Sequence, residues 1–224
     1  MSPEKLIRKW IDELNRGDIK GLFIARKLDK NVELARMWDT PITEGALNMA
    51  WRAYFVKEGE SYIGAVMEHE NGLYVYMMPA YRKKGIASGV LKNIILPHLL
   101  QQQPLLRTYI TKTGGSEQRY QTAKKLAQSV GFNLLQEDAS GCRLMMDGSS
   151  LKERIYVKGI NTPLTEERTK FLQSRIAYAN SLLRTVQTEL EYKCGNSLFS
   201  EELGSIVHAL DKQHMKLPTA WFEK

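Results

Sequence analysis

Cysteine is scarce: Cys142 and Cys194 are the only two in 224 residues. That count supports neither a disulfide framework nor a metal-ligand cluster. Long apolar runs are missing too. The most hydrophobic stretches, such as "GVLKNIILPHLL" at 89–100, are broken by charge or proline and fall short of the ~20 residues that cross a bilayer. The N-terminal "MSPEKLIRKW" lacks the continuous apolar core of a secretory signal. There is no internal repeat and no low-complexity tract. These absences lead to the expectation of a cytoplasmic protein with no membrane partner.

Acidic residues are outnumbered, 25 against 32 Lys and Arg, for a net charge of +7. Residues 1–150 hold 21 basic and 16 acidic residues, and the remaining 74 hold 11 and 9, so most of the surplus lies in front. A basic balance favours anionic partners, although proteins without such partners also show it. The basic residues are scattered rather than aligned on one helix, and no nucleic-acid motif is present, which argues against nucleic acid.

The chain opens with a helix over 3–16. Ser2 can cap it, Pro3 suits its first position, Leu6, Ile7, Trp10, Ile11 and Leu14 share a face, and Gly17 ends it. "GLFIAR" reads as a strand, "DKNVELARMWD" as a short helix, and a second helix falls within "TEGALNMAW". Three strands follow, "RAYFVKE", "SYIGAVME" and "LYVYMM", separated by the hairpin signals "GE" and "ENG". A helix over 86–100 must bend or end early at Pro97. "LLRTYIT" is a strand, 116–130 a helix, and "GFNLLQE" and "CRLMMDG" closing strands. Antiparallel-looking strands mixed with single crossover helices give an α/β (α+β) class, a mixed sheet with helices on both faces.

Near residue 150 the pattern changes, dividing the chain into a domain at 1–150 and a helical region at 151–224. A helix runs from Thr162 to about Cys194, with Pro163 at its first position and Gly195 past its end. Leu172, Ile176, Ala179, Leu183, Val186 and Leu190 form a narrow seam of the kind helical pairs use. A second helix, about 200–214, carries Leu203, Ile206, Val207 and Leu210. The two predict a helical hairpin, which covers the sheet, folds on itself, or serves a homodimer or another partner. For a homodimer, Leu183 and Leu190 are the residues to test.

Residues 81–89, "YRKKGIASG", carry the chemistry. Arg82, Lys83 and Lys84 repel one another yet stand directly before Gly85, where a strand ending at Met77 and Met78 turns into a helix. The first N–H groups of a helix are unpaired and partially positive. Gly85 admits a bulky anion without a Cβ in the way, and Ala87 and Ser88 keep the next turn small. Together these features form a pyrophosphate cradle, although neither common nucleotide loop is present.

Arg82-x-x-Gly85-x-Ala87 resembles the acyl-CoA signature of the GNAT N-acetyltransferases, Q/R-x-x-G-x-G/A. The lead-in "LYVYMMPAYRKKGIASGVL" is similar to that family's fourth strand and following helix, and "VGF" at 130–132 resembles the Gly-Phe after its next helix. The resemblance covers roughly residues 20–147. It implies a GNAT-like central sheet and acetyl-CoA as co-substrate, with the backbone of Arg82, Lys83, Lys84, Gly85, Ile86 and Ala87, beside Ser88, on the pyrophosphate. It further implies main-chain groups around Met77 and Met78 on the pantetheine arm, where an N–H polarises the thioester carbonyl. The reaction implied is direct attack of a primary amine on acetyl-CoA, which needs a base and an acid.

The sequence departs from the family at the acid. Ala127 stands where many members carry a tyrosine, and Tyr120, about two turns away, does not inherit the role, so the catalytic residues stay unassigned. Glu68, His69 and Glu70 form the only acidic and imidazole cluster beside the central strands and so the candidate base, but they read first as a polar turn facing water. Tyr74 and Tyr76 share a strand face and either line an acceptor cleft or pack under a helix. Cys142 reads as core. Two functions remain open: an acetyl-CoA-dependent N-acetyltransferase, favoured by the intact "RKKGIA", and a catalytically silent binding module of the same fold, favoured by Ala127.

Overall fold

In a computed structural model the described residues are 2–38, 50–69, 72–112, 116–148, 159 and 163–216. The chain divides into two compact units, Met1–Asn161 and Thr162–Lys224.

The first unit opens with α1 (Pro3–Arg16), which ends as expected at Gly17 in the left-handed conformation (φ 71°). Five antiparallel strands follow in chain order: β1 (Leu22–Asp29), β2 (Val32–Trp38), β3 (Trp51–Glu58), β4 (Ser61–His69) and β5 (Gly72–Met77). Across the β3–β4 turn Glu58 pairs with Ser61, and Gly59 takes φ 59°, as a two-residue hairpin loop requires. After a short 3₁₀ turn (Pro79–Tyr81) come α2 (Ile86–Val90), a π segment (Leu91–Ile95) and α3 (Leu96–Gln102). Then follow β6 (Leu105–Thr111), α4 (Glu117–Ser129), β7 (Asn133–Glu137) and β8 (Gly141–Asp147). The last three strands form a separate antiparallel sheet in the order β6-β8-β7.

The α/β class, with helices against sheets and a C-terminal helical region, is as the sequence indicates. The β structure, however, comes as two antiparallel sheets of five and three strands. One local reading is overturned: "DKNVELARMWD" is not a helix but contains β2, paired with β1 on one side and β3 on the other. Pro97 neither ends its helix nor forces a break. The π segment before it widens the turn into which its ring would otherwise project. The helix expected within "TEGALNMAW" lies, up to residue 49, outside the described residues, as does the boundary at 150/151.

Two apolar clusters hold this unit together. On one face of the five-stranded sheet, Leu6, Ile7, Trp10 and Ile11 of α1 pack on Ala35, Met37, Ala53, Phe55, Ala65, Met67 and Tyr76. Each buried large side chain there contributes on the order of 2 kcal/mol. On the other, Val32, Tyr54 and Val66 meet Leu91, Ile95, Leu96 and Leu99 of the helical stretch after the basic loop, with Leu144 and Met146 of β8. Alternating residues of each strand feed the two clusters in turn.

The second unit is the expected hairpin of α5 (Glu166–Cys194) and α6 (Leu198–Lys216). Helix α5 starts later than the sequence suggests, because the Thr165 hydroxyl caps it by accepting from the Arg168 N–H. Among the described residues no helix is long and apolar enough to cross a membrane.

Candidate functional site

The sheet of β1–β5 stops at β5, and no ladder joins it to β6. The two strands touch at one end, where a Cβ on Gly72 would lie 2.7 Å from the Thr108 Cα. Beyond that contact they line a cleft of about 680 Å³, walled by Leu73 to Met77, Thr108 to Thr111 and the inner face of α4, with Arg82 and Lys83 also on its wall.

The Met78 N–H donates to the Ile63 carbonyl across the β4–β5 ladder (2.9 Å). In an antiparallel pair such bonds alternate. Leu73, Val75 and Met77 therefore point their N–H and C=O groups away from β4, toward the cleft. Of these groups the Met77 carbonyl accepts from the Arg82 Nε (2.9 Å), and that guanidinium lies 5.7 Å from the centre of the Tyr76 ring. Met77 thus lies on the cleft wall, with its carbonyl engaged by Arg82. The Met78 N–H is spent on the ladder, and the Met78 carbonyl accepts from Tyr81 (2.9 Å).

The basic loop has the shape of an anion nest. Lys83 (φ 59°) and Gly85 (φ 77°) are both left-handed, Lys83 alone among the described non-glycine residues. Among the described residues no acceptor takes the N–H groups of 83–88. The bonds there run the other way, from the Ser88 Oγ (2.8 Å) and the Gly89 N–H (2.9 Å) to the Gly85 carbonyl. Six consecutive donors at the start of a helical run attract an anion through their dipoles. A Cβ on Gly85 would meet nothing within 4 Å, so this face is open. Lys84 lies over the Tyr81 ring at 5.2 Å, and Ile86 and Ala87 pack beside Val56, Ile63 and Met77. No Asp or Glu occurs from 71 to 116. That gap leaves the positive field of the loop uncancelled by neighbours in sequence.

Tyr74 and Tyr76 pack with the apolar face of α1, and both also border the cleft. Burial and the nearby Glu4 carboxylate raise the Tyr74 phenol above its usual range. Glu68 and His69 do not border the cleft. Glu68 pairs with Arg52 (2.9 Å), and burial raises its carboxyl pKa against that partner's pull. His69 stacks on Trp51 at 6.4 Å, and Glu70 lies outside the described residues. Cys142 is buried in the core, as expected.

Ala127 lines the cleft wall, so no phenol projects from that position. Tyr120 lines it too, but its hydroxyl donates to Glu137 Oε1 (2.6 Å), and Glu137 is also paired with Lys124. Burial, with the Cys142 and Glu137 side chains, keeps the Tyr120 proton in place.

The sequence reading missed Glu4 and Arg119. Among the described residues Glu4 is the only carboxylate on the cleft wall, and it pairs with Arg119 of α4 (3.6 Å). Glu4 belongs to the first turn of α1, outside the stretch that carries the family resemblance, so no local motif marks it. The one available signal was its position one turn before the apolar face that docks α1 on β4 and β5.

A scan of protein-family models gives no match, and neither does a search of curated proteins. Among solved structures, the Campylobacter jejuni N-acetyltransferase PseH is similar with 18% identity and a TM-score of 0.35, over 44% of this chain and 68% of that one. The same enzyme in complex with acetyl coenzyme A is similar with 17% identity and a TM-score of 0.34, over the same shares.

Proposed function

We propose that the first unit is an N-acetyltransferase that moves the acetyl group of acetyl-CoA onto a primary amine by direct attack. One observation carries the reading: a cleft edged by the outward backbone of β5, free of a neighbouring strand, has the basic, donor-rich loop 82–88 on its wall and beside it. A pyrophosphate on that loop leaves the pantetheine arm to follow the free edge of β5, where amide-like groups pair with Val75 and Leu73.

In this reading the thioester carbonyl accepts from a β5 edge N–H, which stabilises the oxyanion. Glu4 takes a proton from the acceptor ammonium, and the freed amine attacks the carbonyl carbon. The C–S bond then breaks, and the thiolate takes its proton from solvent, because the Tyr120 hydroxyl is already engaged. Holding the acceptor nitrogen at Glu4, whose charge is shared with Arg119 (3.6 Å), also orients the attack.

Thermal melts with and without acetyl-CoA test this reading. At ~100 times the dissociation constant, binding adds roughly 2.7 kcal/mol, or about 5–10 °C for a chain of this size. Gly85→Glu fills the loop and abolishes the shift. Gly85→Asn retains much of it, because Asn tolerates the left-handed conformation. A folded wild type that shows no shift would overturn the reading.

Ala127 on the cleft wall favours a second reading, a cofactor-binding module without turnover. That protein gives the melting shift but releases no CoA thiol with any amine.

A further inference from the structure

Helix α5 has 29 residues and α6 has 19, so the hairpin leaves much of α5 uncovered. The side that meets α6 is marked by Asn180 and Arg184, which both bind Asp211, and by Gln187, which lies against Gly204. Leu183 and Leu190 stand three or four residues from these and share their face. Both are half-buried, as are Leu172 and Ile176, whereas Ala179 and Val186 of the seam read from the sequence are exposed.

About 100° around α5 runs a second apolar stripe that the described residues of α6 leave exposed; on it Arg168 and Arg175 lie over the Phe171 ring (4.9 and 5.8 Å), and Glu189 pairs with Lys193. Phe171, Tyr178, Leu182 and Val186 are 45%, 64%, 44% and 49% exposed. At about 100° per residue, Arg175, Glu189 and Lys193 fall on this same stripe. Arg175 and Glu189, of opposite charge, stand seven residues on either side of Leu182. A copy of the stripe laid against it on a two-fold axis through Leu182 sets Leu182 on Leu182 and Tyr178 on Val186. The same operation sets Arg175 on Glu189, twice, and Phe171 under the aliphatic stem of Lys193. A parallel copy would instead oppose Arg175 to Arg175 and Glu189 to Glu189.

We propose that the occupant of this stripe is a second copy of the chain, with the two α5 helices antiparallel and crossing at Leu182. An isologous contact repeats each favourable pair. The charge pattern selects the antiparallel orientation, as flanking charges do in coiled coils. The apolar residues between Phe171 and Val186, with Lys193 beyond, extend the contact along about 33 Å of helix.

Sedimentation velocity on the full chain tests the pairing. The wild type at about 100 μM sediments as a species of twice 25.7 kDa. Leu182→Glu places two carboxylates on the axis and yields the monomer, with helix content unchanged by circular dichroism. Arg175→Glu and Glu189→Arg each weaken the dimer roughly tenfold, and the double exchange restores it to within about threefold. A monomeric wild type, or a dimer that tolerates Leu182→Glu, overturns the proposal. Single exchanges that the double exchange fails to rescue overturn the antiparallel register.

Discussion

His98 offers a sharp test of the core beneath the basic loop. It lies in α3, is 2% exposed, and has partners on both ring nitrogens. Arg26 Nη2 stands 3.2 Å from Nε2, and the Tyr54 hydroxyl stands 3.0 Å from Nδ1. A guanidinium only donates, so Nε2 is an acceptor and the ring proton sits on Nδ1, directed at Tyr54. A second proton would have to enter at Nε2, facing Arg26. Burial, with the charges of Arg52 and Arg26, accordingly lowers the His98 pKa from 6.5 to about 4. Above pH 6.5 the ring is neutral in both folded and unfolded chains and adds no pH dependence. Below it the unfolded chain binds the extra proton, so stability is lost as pH falls and the loss levels off near pH 4. The slope approaches 1.4 kcal/mol per pH unit, which gives about 2 kcal/mol at pH 5. For a urea dependence of ~2 kcal/mol per molar, the midpoint falls by about 1 M between pH 7 and 5 through His98 alone. Urea titrations of wild type and His98→Gln at the two pH values isolate this part, because the other groups cancel in the difference. Parallel pH dependence in the two proteins would refute the assignment of a neutral, Arg26-facing ring.

Glu4→Gln should leave the acetyl-CoA melting shift intact and reduce CoA release to an amine by about 10² or more, the usual contribution of a general base; an unchanged rate would remove Glu4 from the reaction. Gly72→Ala drives a methyl against Thr108 at φ 116° and should cost on the order of 2–4 kcal/mol. Gly59→Ala, in open space at φ 59°, should cost about 1 kcal/mol; equal losses in thermal melts would mean that β5 and β6 do not touch there. In the native protein Cys194, which is exposed, should react with a thiol reagent while Cys142, which is buried, stays protected until unfolding; two fast thiols would contradict the packing of β8.

The fold was legible where one face of an element meets the core and the other meets water. Helix α1 shows its apolar stripe, its proline at the start and its terminal glycine, and the strands β3 to β5 are punctuated by turn residues. β2 was not legible, because it lies between two strands, one face is buried at Glu33, Ala35 and Met37, and the other is covered at Val32 and Leu34 and opens to solvent only at Arg36. Val32 faces the cluster with Tyr54 and Val66, while Ala35 and Met37 face α1. Such a strand loses its alternation, and Glu33, Leu34, Ala35, Arg36 and Met37 are good helix formers. Even Glu33 is buried there, where its carboxylate accepts from the Tyr62 hydroxyl at 2.8 Å and meets Lys57 at 3.4 Å. Tertiary pairing overrode propensity at this position.

The two halves of the candidate site differ in legibility for a physical reason. An anion nest is made from consecutive backbone groups, so its residues are neighbours in sequence and read as one motif, "YRKKGIASG". A subsite for an amine is made from side chains that distant elements bring together, and no spacing in the chain announces it. Glu4 reaches the cleft only because Trp10 and Ile11, two turns further along α1, are buried against the sheet. That dependence has a consequence for experiment. Trp10→Ala removes a fully buried side chain and should cost about 3–5 kcal/mol, loosening α1 on the sheet. If Glu4 acts from α1, turnover should fall with this distant substitution while Gly85 and its loop still take up acetyl-CoA. Loss of binding and turnover together would instead place α1 among the supports of the cofactor site.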